Sequence, residues 1–277
     1  MTSYEAKTTM NEQRRLPSDA RRAAIVEILR TGGAITVAQI EERFGVSLMT
    51  ARRDLGELER TGLARRTHGG AVLPAIAAHE DSFASRLEQA KGAKAALAEA
   101  AADLVRESES LFLDSSTTSY HLARVLLERG VRATVITNSL EIFELVATHP
   151  TLAIDLVGVG GALRRLTRSF VGPYAVHTVA GHAVDRVFFS VKGITPAGAL
   201  TDPDALESEV KRSMIAHAHE AILLVDESKL SQHGLSVVAQ VGEIAQVLAH
   251  GISDKQAAAL SALGGRVAIV AERTAAA

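Results

Sequence analysis

Two arginine pairs, Arg52-Arg53 and Arg65-Arg66, and a later set of hydroxyl, amide and lysine side chains are the residues whose types could do chemistry. A guanidinium grips guanine edges or phosphate oxygens two at a time, so paired arginines on an exposed helix suit a nucleic acid. The later set is Asp114-Ser115-Ser116-Thr117-Thr118, Asn138-Ser139, Gly160-Gly161, Lys211, Asp226 and Lys229. Hydroxyls, ammonium ions and helix-opening N–H groups together suit an anion, and the two carboxylates suit sugar hydroxyls. Each has a plainer reading alone: Ser or Thr after a strand is often a helix cap, Gly-Gly a turn, and a lysine a solvated residue. Their recurrence at the ends of successive strands favours a site.

The elements that must carry the arginines read as three short helices. In DARRAAIVEILRTGG, Ile25, Ile28 and Leu29 share one helical face. TVAQIEERFG opens with Thr36 and Gln39 in capping-box spacing, carries the stripe Val37, Ile40 and Phe44, and closes at Gly45. Ser47 caps LMTARRDLGELERTG, in which Ala51, Leu55 and Leu58 must face the core. Met49, Thr50, Arg52 and Arg53 then lie on or beside the outward face. That is a helix-turn-helix with a reading helix, and Thr36, Ser47 and Thr50 are placed to meet phosphate. Gly56 on the outward side either permits close approach or is a tolerated surface glycine. LARRTHGGAVL follows as a wing: strand, turn at His68-Gly69-Gly70, return strand. It offers Arg65, Arg66 and His68 to the DNA backbone or minor groove.

The net charge of −2 hides an asymmetry. Residues 14–70 carry 11 Lys and Arg against 7 Asp and Glu, whereas residues 71–277 carry 18 against 23. A small basic unit joined to a larger acidic one is the pattern of a DNA-binding module with an attached sensor. The absence of Cys excludes disulfides and thiolate chemistry. No apolar run approaches a membrane span, and G-x-S-x-G, Walker-type and H-E-x-x-H motifs are missing. His217-Ala-His219 resembles a metal fragment, but on a helix residues two apart do not share a face, so no metal site and no cofactor is expected. MTSYEAKTTMNEQRR lacks an apolar core and is expected to be a disordered lead-in, in keeping with a cytoplasmic protein.

Beyond residue 75, apolar runs at 111–114, 134–137, 153–159, 186–191, 221–226 and 266–270 alternate with amphipathic segments. This alternation predicts a mostly parallel sheet covered by helices, with ligands at the carboxyl ends of the strands. The expected organisation is a lead at 1–15, a winged helix-turn-helix at 16–75 and an α/β effector-sensing and oligomerisation domain at 76–277. The Ala-rich stretch after residue 90 reads either as a connector or as part of a dimer interface.

The run TVAQIEERFGVSLMTARRDLGELERTGLARRTHGGA resembles the N-terminal domain of the DeoR family of sugar-metabolism repressors. Its S-x-x-T-x-R-R-D-L core and R-x-H-G-G-A wing are the specific parts. LFLDSSTT, VITNSL, GVGGALRR, SFVG, DRVFFSVKGI, VKRSMI and DESKL resemble the sensor landmarks of the same family. The resemblance implies a sensor fold similar to ribose-phosphate isomerase and a phosphorylated sugar or polyol effector lining the later residue set. It also implies a non-enzymatic DNA-binding repressor acting on operator DNA as a homo-oligomer, dimer or tetramer, away from any membrane. A sugar-phosphate isomerase or a transcriptional activator are the alternatives. Three positions depart from the family pattern: Ala51 replaces the usual Ile, and Ser116 and Ser190 each replace a usual Gly.

Overall fold

Helices and strands here follow from where the chain can bury apolar side chains while pairing its backbone. The structure, a computed structural model, describes residues 16–32, 34–61, 63–67, 69–72 and 81–271. The chain divides between residues 80 and 81 into two compact units. The lead-in, His68, Leu73 and the boundary expected at residue 75 lie outside the described residues.

The first unit holds α1 (Ser18–Gly32), β1 (Ala34–Thr36), α2 (Val37–Phe44), α3 (Leu48–Arg60), β2 (Arg65–Thr67) and β3 (Gly70–Val72). Thr36 and Gln39 form the expected capping box on α2, and Gly45 ends it in the left-handed region with φ 62°. Ser47 caps α3 by accepting the Thr50 N–H. Ile25, Leu29, Ile40, Phe44, Ala51, Leu55 and Leu58 close into one core. β1 was not anticipated. It pairs antiparallel with β3, so the wing is a three-stranded sheet in the order β1-β3-β2. Gly70 is required there, because a Cβ would stand 2.1 Å from the Ile35 carbonyl oxygen.

Inside this core lies a carboxylate. Asp54 is buried on the same face of α3 as Ala51, Leu55 and Leu58. It accepts from Arg21 Nε at 2.6 Å, with Arg22 a further 4.0 Å contact, and Arg21 also donates to the Leu16 carbonyl. The pair therefore bolts α1 across the reading helix.

The second unit begins with α4 (Phe83–Glu88) and α5 (Lys91–Ala102). Strands β4 (Glu109–Leu113), β5 (Ala133–Thr137), β6 (Ile154–Gly158), β9 (Val184–Phe189), β12 (Ala218–Asp226), β14 (Gln246–His250) and β15 (Val267–Val270) follow in chain order, with β7, β8, β10, β11 and β13 interspersed. These seven form a parallel sheet in the order β15-β14-β12-β9-β4-β5-β6. Alternate residues of each strand feed two separate cores. Leu111, Leu113, Val135, Leu224 and Leu248 meet α5, α6 (Thr117–Arg129) and α7 (Leu140–Thr148). Phe112, Ile136, Phe189, Leu223 and Val247 meet α8 (Pro173–Ala180), α9 (Ala205–Ala216) and α10 (Asp254–Ala262). This is the three-layer arrangement that parallel strands require. Strand β14 had escaped the sequence reading. So had the hairpin of β7 (Ala162–Arg164) with β8 (Ser169–Val171), and the small sheet of β10 (Gly193–Ile194), β11 (Ala199–Asp202) and β13 (Ser236–Gln240). The Ala-rich α5 is not a bare connector, since Leu97, Ala98 and Ala101 are fully buried in the core beneath the sheet. His217 caps α9 and His219 already belongs to β12, so the two do not share a helix.

Asp54→Ala leaves the Arg21 guanidinium buried without its carboxylate, which costs about 3–5 kcal/mol. In hydrogen exchange on the full chain, protection across residues 18–60 should fall by the corresponding factor while β4 and β12 keep theirs. Unchanged protection in α1 and α3 would show that the pair does not hold the helices together.

Candidate functional site

On the first unit, the front half of α3 presents Met49, 71% exposed, and exposed Arg53 opposite buried Ala51, with exposed Arg52 on the flank of that outward face. Ser47 and Thr50 sit at the helix start with their hydroxyls 3.0 Å apart. Thr36 is exposed, but its hydroxyl already accepts the Gln39 N–H. In the wing, Arg66 is exposed and its N–H donates to Glu59 Oε1 at 3.1 Å, which ties β2 to α3. The Arg65 side chain and all of His68 lie outside the described residues. Glu59 was missed by the sequence reading, since an exposed Glu on a helix looks like any solvated residue.

On the second unit, five adjacent strands, β12-β9-β4-β5-β6, end side by side at Asp226, Ser190, Asp114, Asn138 and Gly160. Asp114 is completely buried. Its Oδ1 accepts from the Ser116 N–H and from the Ser116 and Ser119 hydroxyls, the last two at 2.6 Å. Its Oδ2 accepts the Ser190 N–H and lies 3.2 Å from Lys211 Nζ. That Nζ also donates to the Ser190 carbonyl and to Asp202 Oδ2, both at 2.6 Å. Burial favours neutral Lys211, but Asp202, Asp114 and Glu207 outweigh it and hold the ammonium charged well above its ordinary range. Asp114 and Lys211, read from the sequence as a carboxylate for sugar hydroxyls and a second cation, are thus each already partnered within the fold. Together they lock the ends of β4 and β9 to α9.

Glu207 is a second buried carboxylate, which the sequence reading missed. It accepts from Thr167 and Ser169 at 2.5 and 2.6 Å and pairs with Arg164 at 3.2 Å. Ser115 Oγ reaches it at 3.4 Å. Burial raises its pKa, yet Arg164, Lys211 and the two hydroxyls bring it below the usual carboxylate value.

Thr117 and Thr118 are the buried first residues of α6, behind the Ser116 cap. Ser116 stands at φ −75°, ordinary extended backbone, so serine is accommodated without strain and its hydroxyl is turned onto Asp114. Ser139 caps α7. Asn138 Nδ2 donates to the Phe170 carbonyl, while its Oδ1 is buried with no hydrogen-bond partner. Gly161 is also reassigned. At φ 152° a Cβ there would lie 2.6 Å from the Val171 carbonyl, so glycine serves the close approach of β8 rather than of a ligand. At Gly160 the same space is open.

The larger surprise is cationic. Lys94, on the buried face of α5, donates from Nζ to the Arg86 carbonyl and, at 2.6 Å, to the Gln89 carbonyl. Burial, with repulsion from Lys229 and Arg86, lowers its pKa to about 8, against the pull of Asp226. Lys229 is likewise lowered by burial and by Lys192 and Arg86, with Asp226 and Asp202 opposing. Arg86 Nε and Nη2 are buried without a hydrogen-bond partner. Nearby on α6, His121 has both ring nitrogens buried and unpartnered, and burial with Arg124, Lys94 and Lys91 lowers its pKa to about 4. Among the described residues, no three His, Asp or Glu side chains converge as metal ligands would.

Residues 21–76 match the DeoR-like helix-turn-helix domain and residues 89–251 match the DeoR C-terminal sensor domain. The chain belongs to the DeoR family of transcriptional regulators. It is 33% identical over 229 residues to the transcriptional repressor AccR of Agrobacterium fabrum, covering 82% of this chain and 88% of that protein. It is 32% identical over 244 residues to the L-fucose operon activator of Escherichia coli, covering 87% and 97%. Among solved structures, ribose 5-phosphate isomerase A from Methanocaldococcus jannaschii aligns with a TM-score of 0.37 at 20% identity, over 50% of this chain and 54% of that one. As a DeoR-family member the chain is a DNA-binding regulator, not an enzyme, and its second unit is a small-molecule sensor domain.

The lowered pKa of Lys94 has a signed consequence. Between about pH 8 and its ordinary 10.5, the unfolded chain binds a proton that the folded chain has released. The burial penalty is therefore fully present below pH 8 and relieved as pH rises through that window, so stability rises with pH there. Lys229 acts in the same direction. Unfolding midpoints of the wild type should climb from pH 8 to 10 more steeply than those of Lys94→Met. Parallel profiles would mean that folded Lys94 keeps its proton through this window as the unfolded chain does, and that burial does not lower its pKa.

Proposed function

We propose that this regulator is a cytoplasmic repressor of carbohydrate-metabolism genes whose grip on operator DNA is controlled by a phosphorylated sugar or polyol. The observation that carries the DNA half is the α3 face, where Arg52, Arg53 and Met49 project from the front of a helix that buries Ala51, Leu55 and Leu58 behind them. That is the placement from which side chains reach base edges. Arg66 and, by sequence position, Arg65 and His68 extend the contact to the backbone.

The effector half rests on strand ends that present Ser115–Thr118, Asn138, Ser139, Gly160, Asp226 and Lys229 along one edge of the sheet. The unpaired Asn138 Oδ1 and the nearby cations give that edge polar groups still seeking partners. The names of relatives support the sign: AccR, GlcR of Bacillus subtilis and a lactose phosphotransferase system repressor of Lactococcus lactis are all repressors, and the last names a sugar system. The L-fucose operon activator favours a second reading, in which the same unit activates from a different promoter position. A homo-oligomer, dimer or tetramer, on repeated half-sites completes the proposal.

Fluorescence anisotropy with the protein's own promoter region, at two salt concentrations and with a panel of sugar phosphates, tests both halves. Binding should be sequence-selective, weaken with salt and be released by one phosphorylated compound. Arg52→Ala and Arg53→Ala should each cost about 1–3 kcal/mol of discrimination between operator and unrelated DNA. Undiminished selectivity in both would move the reading face elsewhere.

A further inference from the structure

The outward face of α3 carries an apolar side chain at its front and no side chain at all at its middle. Met49 is 71% exposed and Leu48 43%, and neither joins the core that Ile40, Phe44, Ala51 and Leu55 close. A lone exposed apolar residue is ordinary on a protein surface, so the argument needs its position. At about 100° per residue, Gly56 lies about 20° from Met49 and Arg53 about 40°. The three therefore share one strip of the helix, opposite buried Ala51 and Leu58. Behind them the helix is engaged internally: Arg60 donates to Glu57, and Glu59 accepts the Arg66 N–H.

The fold has no need of glycine at position 56. A Cβ there meets nothing within 4 Å, and an interior helical glycine weakens the helix relative to alanine. Its advantage lies outward, since a surface approaches the axis of α3 more closely at Gly56 than any side chain would allow. Met49 in turn suits neither phosphate nor a hydrogen-bonding base edge. The major groove of B-DNA does present an apolar group, the C5-methyl of thymine. An unbranched, polarizable thioether adapts to such a small knob without a preformed pocket.

We propose that Met49 reads the C5-methyl group of an operator thymine, and that Gly56 lets α3 lie close enough to the groove floor for it to do so. The inference deepens the DNA half of the proposed function and rests on it for the placement of α3 in the major groove. It adds a hydrophobic element of base choice beside the hydrogen-bonding arginines. Met49 and Arg53 are four residues apart, about 6 Å along the helix. Bases repeat at about 3.4 Å along a strand, so the thymine falls within about two base pairs of the guanine that Arg53 takes.

The test is anisotropy binding of the full-length protein to its promoter region with thymines replaced singly by deoxyuridine. That replacement removes the methyl group and leaves every hydrogen-bonding group in place. In the wild type, one replacement in each half-site should weaken binding about fourfold, the effect of leaving one methyl-sized group in water. Met49→Ala should weaken binding to the unmodified promoter by a similar factor and bind its thymine and uracil versions equally. Met49→Leu should keep most of the discrimination. At the same position 5-methylcytosine should bind better than cytosine in the wild type and no better in Met49→Ala. Gly56→Ala should slow hydrogen exchange of the 48–60 amides, as a better helix former does, yet weaken promoter binding several-fold. Discrimination against uracil that persists in Met49→Ala, or promoter binding unchanged by Gly56→Ala, overturns the proposal. Selective binding indifferent to every uracil replacement also overturns it, and leaves the operator-reading role of α3 standing. A wild type with no preference for its promoter over unrelated DNA would remove that role and the inference with it.

Discussion

An ammonium ion shut away from water stays charged only where carboxylates surround it, and the sensor unit is organised around one that is. Lys211 bridges Asp202 and Asp114 and also holds the Ser190 carbonyl, so one side chain of α9 fastens the ends of β4, β9 and β11. Asp114 then passes the constraint on by holding the Ser116 and Ser119 hydroxyls that open α6. Glu207, four positions and about one turn before Lys211 on the same helix, gathers Thr167, Ser169 and Arg164 of the β7–β8 segment. Such networks are weak sources of net stability, because desolvation offsets most of the attraction. Breaking one member is nevertheless expensive, so they favour a single arrangement. The loops at the sheet edge are thereby held in shape before any ligand arrives.

The DNA-binding unit uses the same device on a smaller scale. Its short helices share one small apolar core, and Asp54 adds to it a directional contact between α3 and α1 through Arg21. The Asp of the R-R-D-L run therefore points inward while the two arginines before it point outward. Three consecutive charged residues serve opposite faces because a helix turns about 100° at each step.

Much of this was legible in the sequence, and the exceptions have physical reasons. The Thr36–Gln39 capping box, the left-handed Gly45 and the inward stripe of α3 are local, and local signals are complete in the sequence. Six strands of the main sheet announced themselves as apolar runs bounded by polar residues. Strand β14 did not, since QVLAH is a short run of mixed apolar, small and polar residues that alternates too little to stand out between Gly242 and Gly251. β1 and β7 are three residues long and exist only because partners pair with them. Asp54 and Lys94 could have been found: each stands in an apolar stripe, with Ala51, Leu55 and Leu58 in one case and Leu97, Ala98 and Ala101 in the other. A charge at such a position signals a buried charge with a partner to be sought. The commitment of Asp114 to Lys211 could not have been read, because it depends on the Ser190 backbone, 76 positions from Asp114 and 21 from Lys211 in the chain.

The two groups of buried charge at the sheet edge differ in one respect that decides what each can do. Around Lys211 the acids outnumber the cation and every group has a partner within the fold, so a ligand entering there would have to displace an internal contact before making its own. Around Arg86 the balance is the reverse: its Nε and Nη2 are buried without a hydrogen-bond partner, and Lys94 and Lys229 are held below their ordinary pKa by burial and by neighbouring positive charge. Residue type alone does not separate the two situations. Asp114, Lys211 and Lys229 look alike in the sequence as polar groups at strand ends, and only the fold shows that the first two are committed to each other and to Asp202 while the third stands among cations.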